Sequence, residues 1–281
     1  MSISCDVCFR KCILDEGQPG FCRARIGTRE GTEPVNYGRL TSLALDPIEK
    51  KPLSMFYPGS CVVSVGTYGC NLKCPFCQNS SISLSDGAKI PYTEYVSPEE
   101  LRDIALKYVP QRNIGIAYTY NEPLVGYEFV RDTAKLIKEA GLKNVLVTNG
   151  SAGDRVLDEI LPFMDAMNID LKCFNEAYYR DVLKGDLSAV KNFIGRSAKS
   201  CHVELTTLII PGENDSEEEM RELSAWVHGV EEKAGKTIPL HVTRFFPRSD
   251  YSDRQPTPVE KVYRLAEVAR EMLEFVYEGN C

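Results

Sequence analysis

No stretch of the 281-residue chain approaches the roughly 18 consecutive apolar residues that a membrane span requires. The opening residues, Met1 to Arg10, carry cysteines and charge instead of an apolar run, so no export signal is read there and a cytoplasmic protein is expected. Positive charge is also short. Against 40 Asp and Glu stand 33 Lys and Arg, a formal net charge of −7, which argues against nucleic acid and against an anionic membrane surface as partners. Histidine is scarce and scattered: His202 and His241 read as strand residues, His228 as helix surface. Hydrophobic residues at 43% and charged residues at 26% are ordinary for a globular domain with a buried core. Cysteine is what the chain has in number. There are eleven, an odd count without an export signal, and seven of them fall in two tight clusters, a pattern that in a reducing compartment means metal and not disulfides.

Residues 5–30 are rich in Cys, Gly and Arg and lack a sustained apolar period, which predicts a small Cys-rich metal-binding module over residues 1–35 ahead of a larger domain over residues 36–281. In that domain short β-branched runs alternate with amphipathic helical patterns. The runs are 62–66, 114–118, 144–148, 165–171, 202–210 and 238–245, mostly apolar, as strands buried on both faces are. Helix starts follow from Ser97-Pro98-Glu99-Glu100 and Thr257-Pro258-Val259-Glu260, each with a capping hydroxyl, Pro at the first helical position and Glu at the third, while Ser216 with Glu219 repeats the box without Pro. Six strand–helix units with short connections predict an α/β fold with a parallel sheet. A partial (β/α)6 TIM-like barrel is preferred over a doubly wound sheet. In either architecture ligands sit at the carboxyl ends of the strands, and there the chain collects Cys70 to Cys77, then Tyr120-Asn121-Glu122-Pro123, Thr148-Asn149-Gly150, Asp170 with Lys172, and Arg244.

Cys70, Cys74 and Cys77 follow the spacing C-x3-C-x2-C on one loop, so three thiolates converge on one small cluster with no fourth cysteine nearby. A [4Fe–4S] cluster so held keeps one iron open, able to take the amino and carboxylate groups of S-adenosylmethionine and to pass an electron to its sulfonium. A structural zinc site competes, but zinc usually takes four Cys or His ligands and this loop is one short.

With Asp46-Pro47-Ile48-Glu49-Lys50-Lys51-Pro52, Tyr118-Thr119-Tyr120-Asn121-Glu122-Pro123 and Ile169-Asp170-Leu171-Lys172 added to the triplet, the chain from Cys5 to Asn280 resembles the radical S-adenosylmethionine superfamily. Within it, the resemblance is to proteins like pyruvate formate-lyase activating enzyme, and nearest to the AmmeMemoRadiSam system radical enzymes. The resemblance implies that the triplet ligates the cluster and that Phe76 lies against the adenine. It implies that Asn121 and Glu122, where the superfamily commonly has Gly-Gly-Glu-Pro, meet the methionine amino group. Glu122 is expected to be a rim side chain with little packing, so that Glu122→Gln keeps the fold. Thr148, Asn149 and Asp170 would line the ribose, methionine and cation side, and Lys172 would pair with the carboxylate of S-adenosylmethionine. Thr206 or Thr207 and Arg244 are weaker candidates, because strand register decides them. Cys173, beside this rim, reads as a buried thiol in preference to a hydrogen donor.

Cys5, Cys8, Cys12 and Cys22 make C-x2-C-x3-C-x9-C, four soft ligands that suit zinc, the preferred reading, or a second, fully liganded cluster. Three functions are weighed: a radical enzyme acting on a protein or small molecule, a glycyl-radical activase, and a zinc-binding interaction protein without redox activity. The first is preferred, and with it a one-electron donor such as flavodoxin or ferredoxin. The family name implies Memo-like and AMMECR1-like partners by association alone. Relatives often continue past the position of Gly279-Asn280 into another cysteine-bearing segment, which implies a cap over the substrate side there. The substrate itself is not encoded in any pattern of this sequence.

Overall fold

A computed structural model describes residues 2–84 and 92–281. Eight strands form one sheet: β1 (Ser42–Pro47), β2 (Cys61–Gly66), β3 (Asn113–Tyr118), β4 (Lys143–Thr148), β5 (Ala166–Asp170), β6 (His202–Ile209), β7 (Leu240–Arg244) and β8 (Val276–Gly279). β1 runs antiparallel to β2, and every later pairing is parallel. A doubly wound sheet reverses its strand order at a switch point. Here the order follows the chain from edge to edge, so the sheet is a partial barrel. The six expected runs are β2 to β7. β1 and β8 extend the array beyond six units: the first is an antiparallel strand ending in Asp46-Pro47, and the second has only four residues, Val-Tyr-Glu-Gly, too few to show a period.

Helices α1 (Pro98–Lys107), α2 (Tyr127–Glu139), α3 (Asp154–Ile160), α4 (Leu187–Ser200), α5 (Glu217–Ala234) and α6 (Val259–Arg270) separate the strands. Alternation along each strand sends Val63, Val65, Ile116, Leu146, Met167 and Ile169 outward, where they form the main core with Leu101, Phe129, Val156 and Phe193 of the helices. Ser97 caps α1 in a reciprocal box with Glu100, as expected. Ser216 accepts from Glu219 N at 3.2 Å, but the Glu219 carboxylate takes Phe174 N at 2.6 Å and returns nothing to the cap. Thr257 does not cap α6. Buried between two strand ends, its hydroxyl donates to Ile209 O at 2.6 Å and accepts from Phe245 N at 3.3 Å, because the strand-end groups are nearer than the helix N–H groups.

The inner face is closed at the amino ends of the strands. Val62, Ala117, Val145 and Ala166 pack there against Ile48 and Leu53 of the β1–β2 connection. Glu204, fully buried on β6, anchors the same connection: its carboxylate accepts Ser54 N at 2.9 Å and Met55 N at 2.8 Å, and meets His202 Nε2 at 2.8 Å and His241 Nε2 at 2.6 Å. Ahead of the barrel, Ile3–Ser4 pairs with Ile13–Leu14 and Arg25–Gly27 with Thr32–Pro34. This segment is tied to the barrel by Arg25, whose buried guanidinium meets Glu128 Oε1 at 2.7 Å and Val125 O at 3.1 Å, and by Gly153 N donating to Val7 O at 2.8 Å. Among the described residues, no helix is long and apolar enough to cross a membrane.

Burial works against the charge of Glu204, but the two imidazoles and two backbone N–H groups outweigh it and hold the carboxyl at about 2, below its ordinary 4.5. A carboxyl depressed in the folded state stabilises the fold above its ordinary value, and that contribution is lost as pH falls toward the depressed one. Urea unfolding at pH 7 and pH 3 is therefore expected to show wild type losing on the order of 2 kcal/mol more than Glu204→Gln. Equal losses in the two proteins would mean that Glu204 does not hold the barrel floor through its charge.

Candidate functional site

The residues singled out by sequence meet at the carboxyl ends of consecutive strands. Cys70, Cys74 and Cys77 lie on the loop that leaves β2. Glu122 follows β3, Asn149 follows β4, and Asp170 ends β5 with Lys172 just beyond. Glu122 is not the exposed rim residue expected. It is 3% exposed, and its carboxylate accepts Leu124 N at 3.1 Å, the Thr148 hydroxyl at 2.8 Å and Asn149 N at 2.8 Å. A parallel sheet leaves N–H groups unpaired where its strands end, and a carboxylate placed there collects them. Burial pushes its pKa up to about 7 although all three donors oppose the shift.

Asn121 faces its own turn. Its amide donates to Thr67 Oγ1 and Gly69 O, both at 3.1 Å, and accepts Thr67 N at 3.1 Å, stitching the end of β3 to the start of the cysteine loop. Asn149 reaches the same loop, donating to Asn71 Oδ1 at 2.8 Å and to Cys70 Sγ at 3.7 Å. Cys70 Sγ also lies 3.4 Å from Leu72 N. Lys172 Nζ is held by Asp170 Oδ2 at 2.8 Å; burial opposes its charge, but Asp170 and the neighbouring Cys74 keep its pKa above the ordinary value. Phe76 is buried, with its ring 6.1 Å from that of Tyr251.

Of the weaker candidates, Thr206 turns inward to Asn168 Oδ1 at 3.0 Å, whereas Thr207 is spent on Leu171 O at 2.8 Å. Arg244 turns to Thr257 O at 2.7 Å, and Cys173 is buried with its sulfur 3.6 Å from Asn175 O. Three residues of the site escaped sequence reasoning. Asn71 lies inside the cysteine motif, and its buried amide was the available signal. Arg10 donates to Asn71 O at 2.7 Å from between the amino-terminal cysteines, and Tyr251, in the connection after β7, belongs to no motif.

The donor set fits an iron–sulfur cluster by its chemistry. Burial, the Glu122 charge and the neighbouring thiols drive the Cys70 pKa well up, and burial pushes Cys74 up to about 12 against the pull of Lys172. Thiols raised in this way become thiolates only when a cation shares them. Among the described residues no three His, Cys, Asp or Glu side chains are already drawn together as a closed metal shell.

Residues 64–224 match the family described as the radical SAM superfamily, the span that carries the cysteine loop and the strand ends β3 to β6. An uncharacterised protein of Methanocaldococcus jannaschii is 41% identical over 99% of this chain and 81% of its own length. The pyruvate formate-lyase-activating enzyme of Clostridium pasteurianum is 29% identical over 73% of this chain and 89% of its own. Among solved structures, Streptococcus suis SuiB bound to S-adenosylmethionine superposes with a TM-score of 0.58 over 76% of this chain and 48% of that one, at 11% identity, a likeness of fold. The chain belongs to the radical SAM superfamily, with homology to pyruvate formate-lyase activating enzymes, and is an enzyme of radical chemistry. Membership brings the [4Fe–4S] cluster and S-adenosylmethionine as its cofactors.

Since the Glu122 carboxylate serves three donors, Glu122→Gln, which turns an amide N–H2 toward one of them, is expected to cost about 1–3 kcal/mol of stability. Chemical unfolding of the metal-free protein measures this, and an unchanged midpoint would show that the knot contributes nothing to the fold.

Proposed function

We propose that the enzyme holds an open-iron [4Fe–4S] cluster on Cys70, Cys74 and Cys77, binds S-adenosylmethionine across the ends of β3, β4 and β5, and abstracts hydrogen from a protein or small molecule admitted at the same rim. One observation carries the reading: the three thiols share that rim with a buried carboxylate whose partners are N–H and O–H groups and with a lysine held by its own aspartate. When bound on these thiolates, the cluster would supply the single electron for reductive cleavage of S-adenosylmethionine and so the radical chemistry of hydrogen abstraction.

The chain's own residues bind and orient. Glu122 Oε2, which serves only Asn149 N, has room to accept from an ammonium group, and the added charge returns the carboxyl to its ionised form. Lys172, its charge fixed by Asp170, is placed to meet the methionine carboxylate. Asn149 donates to Cys70 Sγ and stabilises the thiolate. Thr148 positions Glu122, while Asn121 keeps the cysteine loop in place from below. Phe76 offers its face to the adenine. An external one-electron donor of the flavodoxin or ferredoxin kind serves the cluster, and residues 1–35 form a separate zinc module on Cys5, Cys8, Cys12 and Cys22. In that module burial pushes Cys22 up to about 11 and raises Cys8, so these two thiols too need a cation to ionise.

Two measurements test this. Anaerobically reconstituted protein should change its absorption and paramagnetic spectra on addition of S-adenosylmethionine and, when reduced, release 5′-deoxyadenosine, while Cys74→Ala should do neither. A variant that kept the spectral change would show the ligand assignment to be wrong. Metal analysis of the protein lacking Cys70, Cys74 and Cys77 should find about one zinc per chain. Iron with sulfide would make the amino-terminal site a second cluster, and no metal would remove it.

A further inference from the structure

The segment Asp46-Pro47-Ile48-Glu49-Lys50-Lys51-Pro52 has no part in the site described above, yet it holds one of the chain's few buried cations. Lys51 is 3% exposed, and its Nζ meets Asp46 Oδ2 at 2.8 Å. The same carboxylate oxygen accepts the Tyr120 hydroxyl at 2.9 Å, and Lys51 Nζ stands 5.0 Å from the centre of the Tyr120 ring. Tyr120 therefore reaches from the carboxyl end of β3 down the inner face of the barrel to β1.

Its backbone explains why it needs holding. Tyr120 has φ of 72°, and Asn121 N donates to Thr119 O at 3.0 Å across it. A three-residue turn with positive φ at its centre is the rare, strained form of the γ-turn, and glycine is the residue that tolerates it. The next two residues are Asn121, stitched to the cysteine loop, and Glu122, knotted to β4. Asn79 Nδ2 adds a bond to Tyr120 O at 2.8 Å, so the turn carries the β2 loop as well. A side chain at a position suited to glycine persists when its surroundings over-determine it.

We propose that the Lys51–Asp46 pair is a positioning device. Through the Tyr120 hydroxyl it holds residue 120 in the left-handed turn and so sets Asn121 and Glu122 at the rim. Lys51 and Asp46 touch neither cluster nor cofactor in this scheme; they are positioning residues. The consequence for cofactor binding rests on the placement of S-adenosylmethionine at Glu122, so the test separates the two.

Tyr120→Phe keeps the ring and the packing and removes only the hydroxyl. Asp46→Asn removes the charge, and the double variant combines them. Amide hydrogen exchange of the metal-free full-length chain is expected to speed up about ten-fold at Asn121, Glu122 and Leu124 in each single variant, the size of one hydrogen bond to a charged group. The double variant should add little, because both changes cut one connection. In the reconstituted proteins iron content should be unchanged, while the S-adenosylmethionine midpoint of the spectral change rises by a similar factor. Unchanged exchange at Asn121, Glu122 and Leu124, or fully additive effects in the double variant, would overturn the device. Faster exchange with an unchanged midpoint would uphold the anchoring and overturn the placement of S-adenosylmethionine at Glu122. Should Asp46→Asn unfold the chain, Tyr120→Phe alone decides the matter.

Discussion

A carboxylate without water has to find its hydrogen bonds in the protein, and Glu122 finds them at the end of the neighbouring strand and in its own turn. Since Asn149 takes part with its backbone and then extends its side chain to Asn71 and Cys70, the knot reaches the cysteine loop. Asn121 reaches the same loop from the other side. The start of the cysteine loop, with Cys70, is thus tied through Asn149 to a buried acid. A polar cluster of this kind is strong when every member is satisfied and costly when one is removed.

The parallel strands could be read from sequence because those that pack helices outward and small residues inward leave continuous apolar runs, as Val-Leu-Val in β4 does. Strand order told the barrel from the doubly wound sheet, and order is a property of pairing that no local pattern carries. The cysteine triplet could be read because metal ligation needs close spacing in the chain. The burial of Glu122 could not: a Glu before Pro looks the same whether it meets water or the end of the neighbouring strand, and that strand is 21 residues further on, starting at Lys143. Thr257 shows the same limit. Its capping pattern is intact in sequence, yet the strand ends of β6 and β7 claim the hydroxyl. Tyr120 gives no sign in sequence of its positive φ, and its anchor lies 74 residues away on β1.

The two ends of the barrel handle buried charge in opposite ways. At the floor Glu204 is held well below its ordinary range by two imidazoles and two N–H groups, a closed account of donors that makes a firm joint. At the rim burial drives Glu122 upward although three donors serve it. Stability and reactivity are thereby kept apart along one sheet, the first at the amino ends of the strands and the second at the carboxyl ends.

In the strand order β1 and β8 are the two edges, and neither pairs with the other. A closed barrel has a girth set by its strand number and stagger, and cannot widen without breaking a ladder. This one has a seam. The distance across the seam can change through small additions of twist at each of the seven pairings, with every backbone hydrogen bond kept. Its circumference is elastic where a complete cylinder is stiff, so the same scaffold can accommodate guests of different bulk while the thiol loop, on the second strand from one edge, stays registered to its neighbours.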